Sequence, residues 1–159
     1  FQHVEQFITD TTYEEEQNAF DYSLLAGKPY NKGETFKLAD IKANFIILDF
    51  WYSSCYPCIK GIPSVNRLYR DYKDKGVAVY GINMIDDEVK SKARLEKFFK
   101  NNLMEYPPIM VDPAVATELG VNAYPTLLVL DKDYQVVFME EGFSEQLYEK
   151  VAAFLDARL

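Results

Sequence analysis

Residues 44–63 read NFIILDFWYSSCYPCIKGIP. The first nine form an apolar run broken only by Asp49, which predicts a central strand buried on both faces. The only two cysteines of the chain, Cys55 and Cys58, come next. Beyond them Ile59, Ile62, Val65, Leu68, Tyr69 and Tyr72 recur at three- and four-residue steps, the apolar face of a helix running to Asp74. Pro63 lies inside that helix and is expected to kink it. The cysteine pair therefore stands between a buried strand and a helix start. Side chains three apart in a first helical turn have Cβ atoms roughly 5–6 Å apart, and a disulfide needs about 3.8 Å, so a small adjustment opens or closes the bond. Unpaired N–H groups at a helix N-terminus favour a thiolate; cysteines in such settings have pKa values of about 3.5–7.5, against ~8.5 when free. Cys55 is expected to be the more exposed, attacking cysteine. Cys58, one turn inside, would resolve a mixed disulfide, and Pro57 stiffens the turn between them. On these grounds the pair is a working dithiol, half of a metal site, or a plain staple.

Composition narrows the choice. A chain of 159 residues is long enough for one domain with a real core. Two cysteines cannot build a multi-disulfide scaffold. A structural zinc site needs four ligands, usually Cys or His, and the single histidine, His3, lies near the start of the chain; no metal site is expected. Haem attachment through C-x-x-C-H fails because Ile59 follows Cys58. The net charge of −8 and the lack of a Lys/Arg cluster argue against a nucleic-acid partner. No apolar run approaches the ~20 residues that span a bilayer. The chain starts at Phe1 rather than Met, which is consistent with a removed targeting segment. The acidic run YEEEQN, Tyr13 to Asn18, reads as a solvated helix face or a loop.

Residues 1–18 are polar and weakly patterned, an N-terminal arm preceding one domain over residues 19–159. Ala19 to Leu25 alternate well enough for a short strand. Gly27, Pro29, Asn31 and Gly33 mark a turn, after which Thr35–Leu38 pairs back. Val77–Ile85 is a second buried strand. Residues 87–102 form a charged amphipathic helix with Val89, Ala93, Leu95, Phe98 and Phe99 as its apolar residues, and residues 107–112 give a short extended piece. A helix follows, with Asp112 as N-cap, Pro113 at its first position and Gly120 at its end. Residues 125–142 make a hairpin around Asp131–Asp133. A last helix carries Phe143, Leu147, Val151, Phe154 and Leu155 on one face. Strands alternating with helices, then a hairpin and a final helix, predict an α/β fold: a central mixed sheet covered on both sides.

The motif Phe50-Trp51-x-x-x-Cys55-x-Pro57-Cys58 after a hydrophobic strand resembles the thioredoxin fold and, within it, the TlpA/ResA-like thiol-disulfide oxidoreductases of the bacterial extracytoplasmic space. Ala19-Phe20-Asp21-Tyr22-Ser23-Leu24 is similar to that group's Ala-Pro-Asp-Phe-x-Leu opening. FKLADIKANFIILDFW matches its second-strand, short-helix, third-strand passage, and Pro63 falls where these proteins carry a helix proline. GVNAYPTLLVLD, Gly120 to Asp131, matches the segment with the cis-proline. The resemblance implies a cis Tyr124–Pro125 bond facing the cysteines, with the Tyr124 backbone open to a substrate chain as an added strand. Residues 86–111 correspond to the helix-and-strand insert of the TlpA-like branch. A redox-active Cys55–Cys58 pair, disulfide-containing protein substrates, a membrane-bound reductant partner, a periplasmic or envelope-anchored location and no cofactor are all implied.

Asp49 stands where thioredoxin has its buried acid. Burial raises a carboxyl pKa, which would let Asp49 exchange a proton with Cys58 near neutral pH. Thioredoxin also has a lysine close to that acid, and Val77–Ile85 contains none, so the surroundings of Asp49 depart from it. Ser54 replaces the usual Trp before the first cysteine, and Gly61 replaces a frequent Glu. Trp51 is expected to pack beneath the site and, with Tyr56, Pro57, Tyr124 and Pro125, to make up the substrate-binding residues. Tyr56 and Tyr124 would border the disulfide with aromatic surface suited to apolar peptide segments. Two rivals stand beside the oxidoreductase reading. One is a redox-responsive or carrier module without turnover. The other is a thiol peroxidase, although the Thr-x-x-Cys pattern of peroxiredoxins is missing here.

Overall fold

A computed structural model of the chain describes residues 20–159. The proposed arm, the acidic run Tyr13–Asn18 and His3 lie outside the described residues. Among the described residues, seven strands form one mixed sheet in the order β2-β1-β5-β4-β3-β6-β7. They are β1 (Ala26–Pro29), β2 (Phe36–Lys37), β3 (Phe45–Phe50), β4 (Val77–Asn83), β5 (Pro108–Met110), β6 (Thr126–Asp131) and β7 (Val136–Glu141). β3, β4 and β5 are parallel; β6 runs antiparallel to β3, and β7 to β6. The helices are α1 (Tyr56–Tyr72), α2 (Lys92–Asn101), α3 (Ala116–Leu119) and α4 (Leu147–Asp156).

The apolar run of β3 is buried along almost its whole length, because it pairs on both edges and is covered on both faces. Side chains alternate across a strand. Ile46, Leu48 and Phe50 therefore enter one core, with Tyr22, Leu25, Leu38, Ile82, Leu119 and Leu128. Ile47 enters the other, with Val65, Leu68 and Tyr72 of α1 and Leu147, Val151 and Leu155 of α4. Each fully buried aliphatic side chain contributes about 1.5–3 kcal/mol to this packing. A third cluster joins Trp51, the two cysteines, Ile62, Met110 and the apolar face of α2, Leu95 and Phe98. The insert at residues 86–111 thus supplies α2 against the cysteine end and β5 between β4 and β1.

α1 begins where the cysteine motif places it and runs through Pro63 as one helix. A short 3-10 turn extends it to Lys75, and Gly76 leaves it with φ +78°, a left-handed turn that glycine adopts without strain. Asp112 caps the following segment through Ala114 N–H at 2.9 Å, and Gly120 ends α3 in the left-handed region.

Four local expectations are corrected. The described part of the expected Ala19–Leu25 strand, residues 20–25, is not a strand: Tyr22–Leu24 is a 3-10 turn, because the Asp21 carboxylate accepts from the Ser23 N–H (3.0 Å) and hydroxyl (2.6 Å). The first strand follows it and takes in Gly27 and Pro29, so the turn begins only at Tyr30. The charged helix starts at Lys92 rather than Asp87, since Asp87 accepts from the N–H groups of Val89 (2.8 Å) and Lys90 (2.9 Å) in a turn of its own. Phe143 precedes α4 instead of lying on its face.

Candidate active site

Parallel β3 delivers its C-terminal end to the start of α1, and the cysteines lie at that junction. Trp51 leaves the strand with its N–H on Ile82 C=O (3.1 Å), and Cys55 N–H closes a turn onto Tyr52 C=O (3.2 Å). Cys55 is the N-cap of α1: its backbone is extended, and its Sγ accepts the Cys58 N–H at 3.2 Å. A sulfur here takes the position that a Ser or Asp oxygen usually fills. Pro57, in the first turn, has no N–H to leave unsatisfied. Cys55 and Cys58 are joined in a disulfide with Cα atoms 5.2 Å apart. Both are buried in this oxidised form, 2% and 3% exposed, so Cys55 is not the more exposed of the two as expected. The tight cap that draws its sulfur onto the Cys58 N–H accounts for this.

The loop holding the cysteines is fastened from behind. Ser53 donates its N–H and its hydroxyl to the two carboxylate oxygens of Asp86, each at 2.8 Å. Asn83 Nδ2 donates to Asp86 Oδ2 at 2.8 Å, and Arg94 approaches Oδ1 at 3.8 Å. Asn83 Oδ1 accepts from the N–H groups of Ile85 (3.0 Å) and Asp86 (2.9 Å). A buried carboxylate with partners on both oxygens is a sound anchor, because losing any of them would strand a buried polar group.

Asp49 continues the row begun by Ile47 and points under α1. It is buried, and its Oδ2 accepts the Tyr106 hydroxyl at 2.6 Å. Burial pushes its carboxyl up to about 6 from an ordinary 3.8, with the Tyr106 hydrogen bond acting the other way. Gly61, Pro125, Glu140 and Phe143 line the small recess beside it. The missing side chain at Gly61 leaves this recess open: a Cβ there would meet only Phe143, at 3.9 Å.

Tyr124–Pro125 is a cis bond, as expected, and Pro125 shares the recess with Asp49. Tyr124 meets Tyr52 edge to face, ring centroids 5.3 Å apart, and both rings pack on the cysteine cluster. Tyr56 is 68% exposed and Pro57 is also exposed, so both reach solvent beside the disulfide. Lys60 lies over the rings of Tyr56 (5.7 Å) and Phe143 (4.6 Å). The expectation that Trp51 binds substrate is corrected, because it has no surface to offer a partner. It is fully buried, stacked on Phe98 at 4.6 Å, and its Nε1 has no hydrogen-bond acceptor among the described residues. It packs in the buried cluster beneath the cysteines rather than on the surface beside them.

Three residues next to the site gave no signal in sequence. Tyr106 and Asp86 are one aromatic and one acid among many. Gly81 lies in the middle of a strand, where its lack of a side chain matters only once the pairing Asp49↔Gly81 is known. Among the described residues, no group of three or more His, Cys, Asp or Glu side chains is arranged to hold a metal.

This arrangement can be set beside known proteins. The sequence profile of the AhpC/TSA family matches residues 16–139. The thiol-disulfide oxidoreductase ResA of Bacillus thuringiensis (strain Al Hakam) is 31% identical over 126 residues, which are 78% of this chain and 69% of that protein. The thioredoxin-like protein YneN of Bacillus subtilis is 30% identical over 75% of this chain and 66% of its own length. The crystal structure of StoA from Bacillus subtilis superposes with a TM-score of 0.63 at 26% identity, covering 84% of this chain and 98% of that one. With its cysteine pair closed at the head of α1, the chain belongs to the thioredoxin-like AhpC/TSA family and, within it, to the thiol-disulfide oxidoreductases typified by ResA.

Proposed function

We propose that the Cys55–Cys58 dithiol reduces disulfides in partner proteins outside the cytoplasm. The observation that carries this reading is Cys55 at the N-cap of α1, its sulfur on the Cys58 N–H, with Asp49 buried beside the same helix. In the reduced protein that N–H and the helix N-terminus favour the Cys55 thiolate. The thiolate attacks one sulfur of a partner disulfide, and the other sulfur leaves as a thiolate. Cys58 passes its proton to Asp49 and attacks Cys55 Sγ. The remaining partner sulfur departs, the Cys55–Cys58 bond forms, and two electrons have passed to the partner. With its carboxyl at about 6, Asp49 is largely ionised at neutral pH and able to take that proton.

Tyr56 and Tyr124 would meet apolar segments flanking the partner's disulfide, framed by Pro57 and Pro125. The Tyr124 backbone would receive the partner chain as a short added strand. Trp51 supports this surface without touching the partner. The thiols themselves carry the electrons, so no cofactor is required, and the net charge of −8 does not suit nucleic acid. On this reading the protein works in the periplasm or on the cell envelope and is regenerated by a membrane-bound reductant; membership among the ResA-like oxidoreductases supports it. Residues 19–159 would form the catalytic domain and residues 1–18 an arm. Among the described residues, no helix is long and apolar enough to cross a membrane.

The test uses reduced Cys58→Ala protein mixed with disulfide-bearing substrates. Mixed disulfides through Cys55 should accumulate, dissolve with excess thiol and be absent in a Cys55→Ala, Cys58→Ala double variant. If the wild type reduces no disulfide and the variant traps none, the proposal fails. Peroxide consumed faster than any disulfide would shift the reading to a thiol peroxidase.

A further inference from the structure

We propose that Tyr106 is a positioning residue for dithiol exchange. Its hydroxyl holds the Asp49 side chain in place and favours the carboxylate form, and glycine at position 81 provides the slot through which its ring reaches that acid. The inference rests on the reading of Asp49 as proton acceptor for Cys58.

Tyr106 is buried, and its hydroxyl donates to Asp49 Oδ2 at 2.6 Å across 57 residues of sequence. Such a short contact between a hydroxyl and a buried carboxyl is the geometry of a charge-assisted hydrogen bond. The ring occupies space that another residue at position 81 would fill. A Cβ there would stand 3.1 Å from Tyr106 Cε2, 3.0 Å from Trp51 Nε1 and 3.2 Å from Met104 Sδ. The loop that brings Tyr106 in is tied to the cysteine helix itself. Asn66 of α1 donates to Leu103 C=O at 2.7 Å and accepts the Glu105 N–H at 2.9 Å, while Arg70 pairs with the Glu105 carboxylate. One helix thus carries the cysteines at its head and, about two to three turns past Cys58, fixes the group that governs their proton acceptor.

The other groups facing Asp49 do not substitute for Tyr106. β4 and β6 bring Gly81 and Leu127 beside it, both without charge. α1 lines the recess with Gly61 and Val65 beyond Cys58, and β7 brings Glu140, which is held by Lys150 of α4 at 2.9 Å. Glu140 carries a carboxylate and has no proton to donate to Asp49. Among the described residues, Tyr106 is the group that donates to Asp49. When Cys58 gives its proton to the Asp49 carboxylate, the Cys58 thiolate attacks Cys55 Sγ and the partner sulfur leaves. The Tyr106 hydrogen bond keeps the acceptor ionised before that step.

The experiment is Tyr106→Phe, which keeps the ring and removes the hydroxyl. Two quantities are measured as functions of pH: the Asp49 carboxyl by carbon NMR in the oxidised protein, and the rate at which Cys58 resolves a mixed disulfide on Cys55. The expected result is a rise of the Asp49 midpoint by about one to two pH units, with the rate inflection rising equally. Tyr148→Phe removes a hydroxyl bonded to Asp71 at 2.6 Å on the surface, and it should move neither quantity. In the wild type, the Tyr106 ring carbon bearing the hydroxyl should titrate at the Asp49 midpoint, a test that needs no variant. An unmoved Asp49 midpoint in Tyr106→Phe, or a Tyr106 signal blind to Asp49, overturns the inference. A midpoint that moves while the rate inflection stays overturns the role given to Asp49, and with it the place of Tyr106 in the reaction.

Discussion

Replacing Asp49 with Asn should make the oxidised protein more stable at neutral pH while impairing its chemistry. Burial raises the Asp49 carboxyl to about 6, against 3.8 ordinarily. Between those two values the folded protein keeps a proton that the unfolded chain has lost. Stability therefore falls as pH rises through that window and stays reduced above it. At 1.36 kcal/mol per pH unit the full penalty is about 3 kcal/mol. Asn has a similar shape, has no charge to desolvate, and can still accept the Tyr106 hydroxyl on its carbonyl oxygen. At about pH 7.5 the variant should thus gain about 3 kcal/mol, or roughly 6–12 °C in Tm for a domain of this size. At about pH 3.5, where Asp49 is protonated in the folded state and mostly protonated in the unfolded one, the difference should nearly vanish. Urea titrations and thermal melts of the oxidised proteins at both pH values measure it, with equal m-values as the check that the midpoints are comparable. A variant no more stable than wild type at neutral pH, or a gain that persists undiminished in acid, would refute the account of Asp49 as a buried, penalised carboxylate. The same variant should resolve mixed disulfides more slowly, so the stability gain and the rate loss travel together.

Two further substitutions test what surrounds the site. Gly81→Ala puts a methyl within 3.2 Å of Trp51, Tyr106 and Met104 and should destabilise the fold by about 1–3 kcal/mol in urea unfolding. It should also raise the Asp49 midpoint, because the Tyr106 ring must retreat. A neutral effect on both would show that the slot is looser than its contacts imply. Asp86→Ala removes the acceptor for the Ser53 N–H, the Ser53 hydroxyl and the Asn83 amide. It should lower stability by about 2–4 kcal/mol and speed hydrogen exchange at the Ser53 amide ahead of the strands of the core. Unchanged exchange there would mean that the loop is held by something other than Asp86.

The cysteine helix was legible because everything that defines it is local. The apolar run, the cysteine pair at a helix start, Pro57 between them and the three- and four-residue apolar steps all lie within one strand–helix unit. The caps at Asp112 and Gly120 were legible for the same reason. Expectations failed where a short side chain outweighed a pattern: Asp21 bent an alternating stretch into a 3-10 turn, and Asp87 delayed α2. Cys55 is not the more exposed cysteine, because the closed disulfide holds its sulfur against the Cys58 N–H at the helix start.

What the amino-acid sequence determined by itself is the dithiol, its helix and, through family likeness, the fold and the cis-proline. What only the tertiary structure decided is how the buried acid is governed. Asp49 was a candidate from its place in the strand, where thioredoxin has its buried acid, but nothing local in the chain points to its partner. Tyr106 comes from a loop beyond a whole inserted helix and meets Asp49 through the empty position at Gly81. The reason is physical: helix starts and strand periodicity follow from neighbours in the chain, whereas the pKa of a buried carboxyl is set by whichever distant group the sheet register and core packing bring within hydrogen-bond reach.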